Sequence, residues 1–91
     1  MAWVGDSQIS MGRKDRKVSA IKLTIPEHTP TDDNEKIRIY NRRGEVRSTA
    51  HDKKNRIYVR ARMYPGLSTS RSLGDLLAHH IGVTSEPNIK I

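Results

Sequence analysis

The stretch Pro65-Gly66-Leu67-Ser68-Thr69-Ser70-Arg71-Ser72-Leu73-Gly74-Asp75 says more than any other part of the chain. It reads as a turn, then a cluster of hydroxyls, then a helix bearing one carboxylate. Pro65-Gly66 is turn chemistry. Ser68, Thr69 or Ser70 can cap a helix running to about His80. Leu73, Leu76, Leu77, His80 and Ile81 form its apolar stripe, and Gly82 ends it. On such a helix Asp75 lies away from the leucines and four residues after Arg71. That is the spacing of an ion pair worth a few tenths of a kcal/mol, so spacing alone assigns Asp75 no chemistry.

Upstream, Arg56 to Met63 alternates cleanly. Ile57, Val59, Ala61 and Met63 share one face; Arg56, Tyr58, Arg60 and Arg62 share the other. This predicts a half-buried strand. A polar turn, His51 to Asn55, separates it from a strand beginning at Glu45. Asp32-Asp33-Asn34-Glu35 is a helix start, with Asp32 as N-cap and Glu35 at the capping-box position. The helix runs to about Arg43 and stops at Gly44. Its Ile37-Arg38-Ile39-Tyr40 run also alternates as a strand would, but the caps favour a helix. Residues 2 to 11 read as a strand, Gly12 to Asp15 as a turn and Val18 to Ile25 as a returning strand, an antiparallel hairpin. Pro26 and Pro30 then break regular structure. A short strand within Val83 to Ile91, interrupted by Pro87, closes the chain.

At 91 residues the chain holds one small domain at most, with a lean core: hydrophobic residues are 34% and phenylalanine is absent. There is no cysteine, hence no disulfide framework and no thiolate metal site. No apolar run approaches a membrane span and no signal-peptide core is visible. The expectation is an intracellular protein, cytoplasmic or nuclear, with no membrane partner. Net charge is +7, concentrated between residues 36 and 62, where ten Lys or Arg face only Glu45 and Asp52. This points either to an anionic partner or to a solvated face. Tyr58 alone among arginines is a thin stacking platform, so nucleic acid is not the expected partner.

None of the four histidines pairs with another at the i,i+4 spacing of a helical zinc site. The hydroxyls at 68, 69, 70 and 72 have no activating base in view, so a serine nucleophile is not expected. Asp6 follows Gly5, and aspartate is disfavoured inside a strand, which suggests a bulge or a close backbone approach there.

Taken in order, these segments resemble the metal-dependent protein phosphatases of the protein phosphatase 2C type. Leu67 to Asp75 matches G-L-[AS]-x-[ST]-R-[SA]-x-G-D, entered from Gly66. Ile81 to Ile89 matches I-G-[VL]-x-[SA]-x-P-x-[IV]. Val4-Gly5-Asp6-Ser7 matches V-G-D-S-R, with Gln8 in place of Arg. Leu23 to Pro30 matches L-T-x-D-H-K-P, with Glu27 for Asp and Thr29 for Lys. Glu35, Arg38, Ile39 and Gly44 to Val46 match E-x-x-R-I and G-G-x-V, with Arg43 for the first Gly.

The resemblance implies an α+β fold, with this chain part of a four-layer α/β/β/α sandwich of antiparallel sheets. It implies that residues 1–91 are a partial catalytic domain, lacking the N-terminal part and the extreme C-terminal part. By resemblance, Asp75 is a ligand of catalytic Mg²⁺ or Mn²⁺, with Gly74 allowing close backbone approach, and Asp6 joins it on a weaker metal site. The residues 23 to 46 would form a flap beside the active site. Arg42 and Arg43 would then bind or steer phosphorylated protein substrates, helped by Arg47, Arg60 and Arg62. The reaction implied is hydrolysis of phosphoserine or phosphothreonine by metal-activated water. The family's early acidic residue, phosphate-binding Arg and metal-bridging Asp-Gly pair have no counterpart here. The isolated chain is therefore expected to be inactive. Alternatives are a catalytically inactive phosphatase-like interaction module and, ranked below it, a small basic nucleic-acid-binding protein.

Overall fold

Asp32 opens the longer helix with its own side chain: Oδ1 accepts from the N–H groups of Asn34 and Glu35 at 2.9 and 3.2 Å. Two of the donors that a helix start leaves unpaired are thereby satisfied. The computed structural model describes all 91 residues, and in it this helix, α1, spans Asp33–Asn41. The helix predicted from the caps is present, but its end differs. Arg43, not Gly44, takes the left-handed conformation, at φ 67°. The N–H groups of Arg42 and Arg43 fold back onto the carbonyls of Ile39 and Tyr40. Gly44 serves packing instead: a Cβ there would lie 2.6 Å from Ile39 Cγ2 and 2.7 Å from the Ile81 carbonyl.

Gly44 opens a three-stranded antiparallel sheet of β4 (Gly44–Arg47), β5 (Arg56–Val59) and β6 (Pro65–Leu67), in that order. Ile57 points into the core as the alternation requires. The predicted strand to Met63 stops at Val59. There Val59 N–H bonds the Tyr64 carbonyl at 2.8 Å, and Ala61 turns at φ 61°. Ala61 and Met63 are exposed as a result. Tyr58, expected on the wet face, is buried because the Arg47 guanidinium covers its ring at 4.3 Å, a cation–π arrangement. The core proper is Ile39, Ile57, Ala78, Ile81 and Val83, with Val46, Val59 and Leu67 against it.

The predicted hairpin forms, shifted along the chain. It joins β2 (Ser10–Lys14) and β3 (Val18–Lys22), pairing Met11 with Ile21 and Gly12 with Ala20. The strand continues through Gly12 to Lys14 of the expected turn, and the chain reverses at Asp15–Lys17. All ten strand residues are exposed, so the hairpin projects from the body of a molecule 54 × 29 × 20 Å in extent. The predicted strand over residues 2–11 is broken by a turn at Gly5 and Asp6. Its first part, β1 (Ala2–Trp3), pairs with the last strand, β7 (Asn88–Ile89).

The largest departure concerns residues 68–80. Only α2 (Leu76–His79) is helical. Ser70 N–H bonds the His28 carbonyl at 2.9 Å and Ser72 N–H bonds the Thr84 carbonyl at 3.0 Å, which holds residues 70–72 extended. Gly74 at φ 87° and Asp75 at φ 48° then exclude a right-handed helix before Leu76. The predicted leucine stripe is therefore not core: Leu73 is 81% and Leu76 78% exposed, while Ala78 and Ile81 reach the interior. The architecture is α+β with antiparallel sheets. No helix is long and apolar enough to cross a membrane.

Candidate functional site

Glu35 is the hub of the polar interior. It projects from the first turn of α1 and is only 3% exposed. Arg71 grips it with two donors, Nε to Oε1 at 2.7 Å and Nη2 to Oε2 at 3.2 Å. Ser70 Oγ donates to Oε1 at 2.9 Å, and Arg38 pairs with it from one helical turn away. Burial by itself pushes the Glu35 carboxyl upward. The hydrogen bonds from Arg71, Arg38 and Ser70 overcome this and bring its pKa down to about 2. Arg38 in turn donates to the carbonyls of Gly82 and Ser70 at 2.7 and 2.8 Å. The cations are thus shared between one carboxylate and main-chain oxygens.

Arg71 extends the network. Its Nη1 donates to the Glu86 carbonyl at 2.9 Å and to Asn88 Oδ1 at 3.0 Å. Asn88 Oδ1 also meets His28 Nε2 at 3.1 Å. His28 is 1% exposed and stacks on Trp3 with ring centroids 6.1 Å apart. Its Nδ1 accepts from the Gly5 N–H at 3.0 Å, and the His28 backbone N–H donates to the Gly5 carbonyl at 2.9 Å. Burial holds the His28 pKa below its ordinary value; Arg71 and Arg38 push the same way, against the Asn88 bond and Glu35.

The aspartates singled out in the sequence lie at the margins of this network. Asp6 is exposed in the turn that follows Gly5, which has φ 85°. A Cβ at Gly5 would sit 3.2 Å from the Arg71 carbonyl, so the close approach expected there is real. Asp75 is exposed, left-handed at φ 48°, and makes no side-chain capping bond to α2. Neither carboxylate enters an ion pair. Arg71, four residues before Asp75, is committed to Glu35, which removes the expected local pair. Gly74 differs from expectation too: a Cβ there would meet nothing within 4 Å, so its φ of 87° rather than crowding calls for glycine.

Two free carboxylates on turns are suitable hard oxygen donors for Mg²⁺ or Mn²⁺. They do not make a closed site by themselves, since no three of the chain's His, Asp or Glu side chains converge. The donor type fits such a metal, and Asp6 and Asp75 are the residues that would hold it.

Arg42 caps the C-terminus of α1 and lines a polar cleft of about 370 Å³ with Arg38, His79, Thr84 and Glu86. Arg43 stands next to it, exposed, in the left-handed turn. Two departures from the family pattern meet each other: Gln8 Nε2 donates to Glu27 Oε1 at 2.8 Å, and Lys22 pairs with the same carboxylate. The sequence marks Glu35 as a capping-box residue within E-x-x-R-I and His28 as part of the flap pattern, and gives Asn88 no role of its own. The Arg38 spacing, one turn after Glu35, was the available signal for Glu35; nothing local signalled a contact between His28 and Asn88, 60 residues apart.

No curated protein matches the chain. The chain is similar to serine-threonine phosphatase 2C from Toxoplasma gondii, whose crystal structure superimposes with a TM-score of 0.84 at 26% sequence identity. That likeness covers 98% of this chain and 31% of the longer one, so the chain spans about a third of the phosphatase it resembles. The description Protein phosphatase 2C fits the sequence from residue 1 to residue 91. With a match running the whole length of the chain, this protein belongs to the protein phosphatase 2C family.

Proposed function

We propose that these residues form part of the catalytic domain of a Mg²⁺- or Mn²⁺-dependent protein serine/threonine phosphatase, within a four-layer α/β/β/α sandwich. The observation that carries this reading is a pair of unpaired aspartates, Asp6 and Asp75, each presented on a left-handed or glycine-led turn in a chain of this family. Asp75 is the metal ligand in this reading and Asp6 contributes to a weaker neighbouring position. The divalent cation, when bound, supplies Lewis acidity, lowering the pKa of water and offsetting phosphoryl charge. The chain's own part is to present the two carboxylates, unpaired, on their turns. Arg42 and Arg43 attract the anionic phosphoprotein by long-range steering, which fades beyond a Debye length of ~8 Å at physiological salt.

The test uses the chain with Mn²⁺ alone and with a phosphothreonine peptide. Paramagnetic broadening is expected at the amides of Asp6 and Asp75, weakened by Asp75→Asn, with no turnover of the peptide. Mn²⁺ that broadens neither aspartate overturns the metal assignment. Metal-dependent turnover lost in Asp75→Asn would show that these residues suffice for catalysis.

A further inference from the structure

We infer that Glu35, Arg71, Asn88 and His28 act as one positioning unit that fixes the Asp6 turn relative to the Asp75 turn. The significance of that spacing for catalysis rests on the phosphatase reading above; the unit itself rests on the geometry.

The donor and acceptor roles along the unit are determined one from the next. Guanidinium only donates. The Asn88 atom facing Arg71 Nη1 at 3.0 Å is therefore its oxygen. His28 Nε2, 3.1 Å from that same oxygen, must carry a proton to bond it. A neutral imidazole then has its lone pair on Nδ1. The Gly5 N–H donates there at 3.0 Å. An ion pair at one end thus selects the tautomer that receives the backbone at the other.

Backbone contacts close the same loop. His28 N–H bonds the Gly5 carbonyl and Ser70 N–H bonds the His28 carbonyl, each at 2.9 Å. Gly5 lies so close to Arg71 that a Cβ would be 3.2 Å from its carbonyl oxygen. Asp6 is the residue after Gly5, and Asp75 follows Arg71 by one short extended segment and the Gly74 turn. The two turns otherwise share no hydrogen-bonded strand pairing: β1 pairs with β7, and Arg71 bridges Thr84. What ties one aspartate's turn to the other's is this set of side chains together with the two backbone bonds through His28. Glu35 holds it in place, because one buried carboxylate offsets both arginines.

The experiment is metal-free. Amide spectra and hydrogen exchange are recorded for the wild type, Asn88→Ala and Asn88→Asp. Asn88→Ala deletes the acceptor shared by Arg71 and His28 but leaves the Glu35–Arg71 pair. It should shift the amides of Gly5–Ser7 and of Arg71–Asp75 together. Exchange at both should quicken by about tenfold, the scale of one lost hydrogen bond to a charged donor. Core amides at Ile39, Ile57 and Val83 should keep their rates. Asn88→Asp retains an acceptor oxygen for both donors and should preserve the wild-type coupling. Changes confined to β1 and β7, or an equal acceleration of every amide, would overturn the unit, as would identical behaviour of the Ala and Asp variants. The Mn²⁺ measurement is a separate arm: if the turns are coupled yet Mn²⁺ touches neither aspartate, the unit stands and the metal reading fails.

Discussion

Arg71 and Glu35 form a two-pronged ion pair across 36 residues of sequence, with Nε and Nη2 of the arginine on separate carboxylate oxygens at 2.7 and 3.2 Å. The pair fastens the N-terminal turn of α1 to the extended segment that leads to Asp75. Asp75 has no basic partner of its own: the arginine four residues before it is engaged with Glu35, and the left-handed residues 74 and 75 remove the helix that would have brought the two together. A carboxylate left unpaired on a turn is free to take another cation.

Neutralising the hub should be costly. Glu35→Gln leaves Arg38 and Arg71 partly buried without their counter-charge, and breaking a buried pair from one side costs roughly 3–5 kcal/mol. Urea denaturation should show a loss on that scale. An unchanged midpoint would mean that the arginines find carbonyl acceptors sufficient by themselves.

Stability should fall with acid in two windows. His28 has a folded pKa below its ordinary value of 6.5, so the unfolded chain takes up the proton first. Its contribution is complete above pH 6.5 and is lost as pH falls below that towards the folded value. Glu35 is depressed from 4.5 to about 2. Its contribution is complete above pH 4.5 and is lost as pH falls from there to about 2; the shift corresponds to about 3 kcal/mol. Denaturation midpoints measured against pH should show both declines. His28→Gln should flatten the upper one and leave the lower one in place.

Arg43→Gly should stabilise the chain. Arg43 is at φ 67°, where an L-residue with a Cβ is strained by roughly 1–2 kcal/mol and glycine is not. Greater freedom of glycine in the unfolded chain offsets part of this. A net gain of about 0.5–1 kcal/mol is expected in thermal melts. A loss would show that the exposed Arg43 side chain makes a stabilising contribution larger than its strain.

Gly82→Ala should act in the opposite direction. Gly82 has φ 101°, and an added Cβ would lie 2.7 Å from Ile39 Cα and 3.1 Å from the Arg38 carbonyl. Both obstacles are backbone of α1 and cannot rotate away. The expected destabilisation is about 3 kcal/mol or more, combining steric overlap with strain. A near-neutral melt would mean that α1 can move off the 81–83 turn at little cost.

Local chemistry in the sequence determined those elements whose stabilising interactions are close in the chain. Asp32 caps the turn it begins, the helix Asp33–Asn41 follows, and the alternation from Arg56 forms a strand as far as Val59. The ordered motifs around Gly5-Asp6 and Gly74-Asp75 carried the resemblance to the family, and in the structure Gly5, Gly74 and Asp75 take positive φ. Tertiary structure decided the rest. The run from Ser68 to His80 has a helical pattern of leucines, yet hydrogen bonds to His28 and Thr84 hold its first part extended, and left-handed residues 74 and 75 delay the helix to Leu76. Tyr58 became buried because Arg47 came over it from a neighbouring strand. Glu35 looked like a capping residue, and only folding brought Arg71 and Ser70 onto it. Periodicity and caps report interactions within a few residues. A buried charge finds its partners through the meeting of distant segments, and that meeting leaves no pattern in either segment alone.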